Sequence, residues 1–205
     1  MVLAGKHGTW VLSVSIIPRT GVAPQLHKFW QIAEETAAEH GKSVDRQQWR
    51  LVLHVHLAES RKEAIEQAKV GAGYFQRDYF EHTLGHDPII DGPADKIVEA
   101  AVDQDLWCVG TPDDLIAKLK RLDQQSGGFG GLLVLAHEWG TREQTLHSYE
   151  LLARYVMPQF QGSLANLIAS HQWSTSKVSE VRAKQDQAIG RARQDYVESK
   201  KSSAG

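Results

Sequence analysis

The sequence predicts an α/β fold in which about three parallel strands alternate with helices. Three apolar or alternating runs have the character of strands, near residues 9–15, 50–58 and 131–137. Segments with apolar residues three and four positions apart separate these runs, as expected of helices. Strands that alternate with helices form parallel sheets, and ligands bind at the carboxyl ends of such strands. Candidate functional residues are therefore sought where each strand ends.

The first unit of the chain joins a short helix to the first strand. The helix is expected to stop at Gly8, because glycine readily adopts the left-handed conformation that closes a helix. Within the strand over residues 9–15, the hydroxyl residues Ser13 and Ser15 lie near the carboxyl end. A helix over about 24–40 then leads to the second strand.

The second strand carries two histidines on one face. His54 and His56 are two positions apart, and side chains at that spacing share a face of a strand. Such a pair can begin a metal site, but no third ligand lies nearby in the sequence, and we predict no metal. His56 is nearer the carboxyl end of the strand. It is either a functional residue or a buried histidine whose nitrogens are satisfied by hydrogen bonds.

The segment after the second strand is predicted to be a helix, a loop and a second helix. Ser60–Glu63 has the form of a capping box, and the helix that it opens is expected to reach about Leu84. A short helix over 95–103 follows a turn-rich loop. We interpret residues 77–108 as an insertion of the kind that shapes a pocket.

The last helix–strand–helix unit ends its strand in three large side chains. Thr111 can cap the first helix of the unit. The continuous apolar run Leu132–Ala136 is typical of a strand covered on both faces. His137, Glu138 and Trp139 follow at the carboxyl end, which makes them the best local candidates for a site.

The composition excludes several classes of protein. Among 205 residues, 23% are charged, 41% are hydrophobic and the net charge is −2, which gives no electrostatic case for nucleic acid or an anionic membrane. The single cysteine, Cys108, excludes an internal disulfide, and its apolar setting favours a buried thiol. No apolar run approaches the ~20 residues that cross a bilayer, and no signal peptide is recognisable. A cytoplasmic location is expected.

Several motifs in order resemble one enzyme family. They are LAGKHGTWVLS at the start, AEETAAEHGKSVDRQQWRLVLHVHLAESRKEA in the middle, then GTPDD, YVMPQF and FQGSLANL. Over roughly residues 1–175 the chain resembles the C-terminal portion of the bacterial luciferase-like flavin-dependent monooxygenases, most closely the limonene-monooxygenase-type subgroup.

The resemblance implies a partial TIM (β/α)8 barrel. Residues 1–162 would form its C-terminal part, with strands six to eight, and residues 163–205 a helical extension and tail. In this alignment the segment that resembles Ser-Pro-Ser-Gly in relatives and holds the flavin phosphate would fall before Met1, and it is expected to be missing from the chain. Flavin binding by the chain alone is therefore not expected.

The family oxygenates small organic substrates, here expected to be apolar, with O2 and reduced flavin, either FMN or FAD. A flavin reductase is an implied partner. His137 would donate a hydrogen bond at the flavin, and Trp139 would cover its ring. The resemblance assigns three catalytic residues and three cofactor-binding residues, which are His137, Trp139 and His56, then Ser13, Ser15 and Glu138.

Two alternatives stay open on the sequence. In the first, the chain is a non-catalytic truncated paralogue that acts only through self-association, because three parallel strands leave two bare sheet edges. In the second, the deazaflavin F420 replaces the flavin in an oxidoreductase. Whichever function holds, the bare sheet edges predict that the chain forms a homo-oligomer or pairs with a complementary barrel half.

Overall fold

Helices and strands alternate along the residues that the computed structural model describes, which are 1–14, 25–88, 90–163 and 165–202. Two compact units divide the chain, Met1–Met157 and Pro158–Gly205. The α-helices and strands are, in chain order, α1 (Val2–His7), β1 (Val11–Ser13), α2 (Leu26–Glu39), β2 (Trp49–Leu57), α3 (Arg61–Tyr74), α4 (Ile97–Asp103), β3 (Cys108–Gly110), α5 (Pro112–Ser126), β4 (Gly131–Leu135), α6 (Arg142–Leu151), α7 (Met157–Phe160) and α8 (Ala165–Ser202).

The sheet of the first unit is parallel in each of its described strand pairs. β1 pairs with the start of β2, from Val11 opposite Trp49, and β4 pairs with Arg50–His54 of β2. Both predictions, parallel pairing and three main strands near the expected positions, are confirmed. β3, which the sequence suggested only as an extended link, is a fourth strand that pairs with the carboxyl end of β2.

The two faces of β2 have different surroundings. Leu51 and Leu53 belong to the main hydrophobic core, which also contains side chains of α2 and α5. His54 and His56 lie on the opposite face, because side chains alternate along a strand. On that face the register adds Leu12 of β1 and Leu133 of β4.

The start and end signals of the helices explain most boundaries. Thr111 and Thr141 both form complete capping boxes, with Asp114 and Gln144 returning the hydrogen bond. At Ser60 the structure shows one half of the predicted box, since its hydroxyl accepts from the N–H of Glu63 at 3.2 Å. The Glu63 carboxylate instead accepts from the Gln67 side chain at 2.9 Å.

The helix that follows β2 has about the predicted length, but only its first part is α-helical. α3 continues without a break into a π-helix over Phe75–Thr83, close to the predicted end at Leu84. α4 then covers the predicted short helix. Cys108 is buried as predicted, and burial raises the pKa of its thiol to about 12.

The second unit consists mainly of α8, a helix of 38 residues. It is continuous through the region where the sequence suggested a short docking helix followed by a charged segment. The domain division predicted from the sequence, at residues 162 and 163, stays a prediction. In the described part of the chain, no helix is both long enough and apolar enough to cross a membrane.

Candidate active site at the carboxyl ends of the strands

The carboxyl ends of β2 and β4 bring two histidines into contact. His54 Nδ1 and His137 Nε2 are 2.5 Å apart, and the two ring planes differ by 14°. One of these nitrogens carries a proton and donates a hydrogen bond to the lone pair of the other. Sequence reasoning selected His137 but not His54. The register of the parallel pair is the information that sequence reasoning lacked, because it places His54 opposite Leu135, two residues before His137.

An aromatic cluster encloses this pair. Trp139 stacks on His137 with ring centroids 4.3 Å apart, and Trp107 lies 4.7 Å from Trp139. Phe75, at the junction of α3 and the π-helix, meets the His137 ring edge-on at 4.7 Å. Trp139 is only 4% exposed, and its Nε1 has no hydrogen-bond partner among the described residues. Its ring is occupied by packing, so the prediction that it covers a flavin ring receives no support from this arrangement.

Burial makes the histidines of this face neutral. Desolvation, with a smaller contribution from the neighbouring His137, lowers the pKa of His54 to about 3. Desolvation also lowers the pKa of His137 to about 4. The pKa of His56 is lowered by burial as well, against an opposing hydrogen bond to Gln67. At neutral pH these imidazoles therefore act as uncharged hydrogen-bonding groups rather than as cations.

An open cleft of about 630 Å³ lies where β4 leads into α6. His137 and the exposed Glu138 both line it, so the structure brings these two predicted residues together. His56 and Trp139 are buried and do not line the cleft. The remaining lining residues come from the strand end and α6, namely Ala136, Gly140, Arg142, Thr145, Leu146 and Tyr149.

Ser13, one of the predicted cofactor-binding residues, lies on the opposite face of the sheet from His54 and His56. Ser13 is opposite Leu51 in the register and therefore points to the helix side of the sheet. Its buried hydroxyl accepts a hydrogen bond from Trp49 Nε1 at 2.9 Å, which gives it a structural role. Ser15, the other predicted cofactor-binding serine, lies outside the described residues. Within the described residues, no group of three or more His, Cys, Asp or Glu side chains is arranged to hold a metal ion.

A glycine in α3 sets how closely this helix approaches the site. A Cβ at Gly71 would lie 2.4 Å from the carbonyl oxygen of Trp139 and 2.5 Å from its Cα. Gly71→Ala is therefore expected to push α3 away from the strand end and to cost about 1–3 kcal/mol of unfolding free energy. Urea denaturation followed by tryptophan fluorescence measures this loss.

Gly190→Ala in α8 is the control for that substitution. A Cβ at Gly190 would have no neighbour within 4 Å, apart from its own helix's backbone and its chain neighbours. Alanine there is expected to be neutral or to stabilise its helix by up to about 1 kcal/mol. An unchanged unfolding midpoint for Gly71→Ala would show that the segment at Trp139 adapts without cost.

Comparisons with known proteins agree with the motif resemblance. The chain is 37% identical over 185 residues to 4-hydroxyprotoasukamycin monooxygenase of Streptomyces nodosus subsp. asukaensis, covering 89% of this chain and 50% of that protein. It is 38% identical over 162 residues to limonene 1,2-monooxygenase of Rhodococcus erythropolis, covering 79% and 41%. The chain thus spans about half the length of the curated relatives it matches. No protein-family model matches the chain.

A solved structure supports the same relationship. The oxygenating constituent of 3,6-diketocamphane monooxygenase from Pseudomonas putida, in complex with FMN, superposes with a TM-score of 0.58 at 26% identity. The match covers 77% of this chain and 44% of that one. The partial-barrel fold predicted from the sequence is confirmed. The chain is thus a homologue of the luciferase-like flavin-dependent monooxygenases of the limonene-monooxygenase type, and it matches them over part of their length.

Proposed function

We propose that this chain supplies the C-terminal part of a flavin-dependent monooxygenase that oxygenates a small apolar organic substrate with O2. The observation that carries the proposal is the pair of neutral imidazoles, buried His54 and half-buried His137, at the carboxyl ends of parallel strands beside an open cleft. One relative is a limonene 1,2-monooxygenase, which is named for an apolar hydrocarbon, and the similar 3,6-diketocamphane monooxygenase structure holds FMN. A flavin reductase that delivers reduced FMN or FAD is the partner that this activity requires.

The donor set at the strand ends fits the ring system of a flavin. The cleft wall presents uncharged His137 and the exposed Glu138, which can hydrogen-bond to polar edges of a flat heteroaromatic ring. When bound, reduced flavin supplies the chemistry that activates O2. Within the described residues, Arg142 at the start of α6 is the basic side chain lining the cleft.

The protein's own part in this mechanism is to position groups and exclude water. His137 uses Nε2 in its contact with His54, which leaves Nδ1 for a hydrogen bond at the cleft. Trp107, Trp139 and Phe75 pack behind the two imidazoles and keep water from them on that side. Low exposure keeps these rings neutral, so His137 acts through a hydrogen bond and not through a charge.

A bare apolar sheet face suggests that the chain does not act alone. Leu12 is 58% exposed and Leu133 is 44% exposed on the face that carries His54. Burial of apolar surface stabilises a protein by about 25 cal/mol per Å², and surface left in water lacks this stabilisation. A closed barrel would cover this face and the outer edges of β1 and β4. We propose that the complementary barrel half covers them, and that the chain alone forms homo-oligomers with weak or absent flavin affinity.

Mixing the chain with a polypeptide that carries the N-terminal part of limonene 1,2-monooxygenase tests the proposal. The mixture is expected to form a one-to-one complex and to bind FMN at least about tenfold more tightly than the chain alone. Calorimetry measures the flavin affinity, sedimentation at micromolar concentration measures the assembly, and limonene oxidation with chemically reduced FMN measures turnover. Leu133→Glu should prevent pairing, whereas Lys62→Glu on the exposed start of α3 should not.

The outcomes separate the proposed function from its alternatives. A compact monomer that binds FMN tightly would overturn the need for a second half. Homo-oligomers that bind neither the added barrel half nor the flavin would favour the non-catalytic paralogue, which the bare sheet face also permits. Tighter binding of F420 than of FMN to the mixture would favour the deazaflavin oxidoreductase.

A further inference from the structure

Three side chains connect buried His56 to the surface of α3. His56 Nε2 lies 3.0 Å from Gln67 Oε1, and Gln67 Nε2 donates to Glu63 Oε1 at 2.9 Å. His56 is buried, Gln67 is half-buried and Glu63 is exposed. The chain of hydrogen bonds thus crosses from β2 to α3 and ends in solvent.

The carboxylate at the end of this chain fixes the direction of each hydrogen bond. An ionised carboxylate accepts hydrogen bonds and cannot donate them, so Glu63 requires the amide nitrogen of Gln67 on its side. The amide oxygen of Gln67 must then face His56, and it too can only accept. His56 therefore carries its proton on Nε2, and in the neutral ring Nδ1 presents a lone pair.

The way α3 begins makes Glu63 available for this contact. In a complete capping box the carboxylate would return to the N–H of the capping residue, as Asp114 does at Thr111. Ser60 accepts from the Glu63 N–H, whereas the Glu63 carboxylate is directed one turn along the helix to Gln67.

His56 lies directly behind the wall of the cleft. A Cβ at Gly140, which lines the cleft, would be 3.4 Å from His56 Cε1. The imidazole is thus close enough for its protonation pattern to influence a ligand at this strand end.

We propose that Gln67 and Glu63 are positioning residues that lock His56 in the Nε2–H tautomer, so that its Nδ1 keeps a fixed lone pair behind the cleft wall at Gly140. This assignment rests on the proposed function for its meaning, but the tautomer itself is a property of the chain alone.

Nitrogen-15 NMR of the labelled chain at neutral pH tests the assignment without flavin. Long-range correlations from the ring protons distinguish a protonated ring nitrogen from a bare one, and His56→Gln identifies the His56 signals by their loss. The wild type is expected to show protonated Nε2 and bare Nδ1. Gln67→Leu should bring the two nitrogen signals toward a common averaged value, as in a free imidazole that exchanges between tautomers.

Two further variants separate positioning from a general packing role. Glu63→Gln should also average the two signals, because a neutral amide allows Gln67 to turn over. Gln67→Glu should restore the fixed Nε2–H form, since a carboxylate accepts from that nitrogen, and should raise the pKa of His56. Glu66→Gln, an exposed acid on the same helix outside this chain of contacts, should leave the spectrum unchanged.

A protonated Nδ1 in the wild type would overturn the proposal, and so would an unchanged His56 tautomer in Glu63→Gln and Gln67→Leu. If Gln67→Leu fails to fold, Glu63→Gln alone decides, because its change lies at the exposed end of the chain of contacts. A fixed tautomer in a chain that binds no flavin even when the complementary barrel half is present would count against the proposed function and not against this assignment.

Discussion

Trp49→Ala is expected to remove a large part of the net stability of the first unit. The Trp49 ring is 0% exposed, stacks on Trp30 with centroids 5.0 Å apart, and donates through Nε1 to Ser13. Removing such a ring costs about 3–5 kcal/mol through lost burial and the cavity left behind. Whole domains have a net stability of only about 5–15 kcal/mol. Urea unfolding measured by circular dichroism checks this loss.

Trp10→Ala is the matched control on the neighbouring strand segment. Trp10 is 66% exposed, and its ring interacts with the guanidinium of Arg50 at 5.6 Å. Loss of this contact is expected to cost no more than about 1 kcal/mol. Trp49→Phe should fall between the two, because it keeps an aromatic ring but leaves the Ser13 hydroxyl without its donor. Equal midpoints for both alanine variants would contradict the assignment of Trp49 to the core.

Acidification is expected to destabilise the first unit before most of its carboxylates titrate. His54 has a pKa of about 3 in the folded chain, lowered from 6.5 mainly by burial. Between these values the unfolded chain binds a proton that the folded chain excludes, so stability present above pH 6.5 is lost as the pH falls toward 3. His137 adds a second proton over the range from 6.5 toward 4. Each contributes a slope of about 1.4 kcal/mol per pH unit.

Unfolding free energies measured at intervals from pH 7.5 to pH 5 test this dependence. His54→Phe should reduce the slope by about one proton, because it removes one of the rings whose pKa burial lowers. His82→Gln, on an exposed side chain of the π-helix, should leave the slope unchanged. A flat profile in the wild type would show that the two rings accept protons in the folded state without cost.

The sequence was sufficient to predict the strand ends but not which side chains meet there. His137 and Glu138 could be selected because an apolar run ended at them, and both line the cleft. His54 was passed over because its partner is 83 positions away, and only the register between β2 and β4 brings them together. Contacts of that kind are not encoded in local periodicity.

Three further features of the structure could not be predicted from local sequence patterns. The face on which Ser13 lies could not be predicted, because the face of a short strand depends on its register with β2, which the alternation in β1 does not specify. Glu63 matched a capping box, yet Gln67 one turn away competes for the same carboxylate. β3 was missed because three residues carry too little pattern to distinguish a strand from a linker.

Every described strand pair in the sheet includes β2, so the sheet is connected as a hub with three branches. Damage to β1, β3 or β4 affects one branch and leaves the other two pairings in place. A shift of β2 by one residue would misalign all three at once and would exchange its histidines with its core leucines. Tolerance to mutation should therefore be lowest in Trp49–Leu57 and should rise outward along each branch.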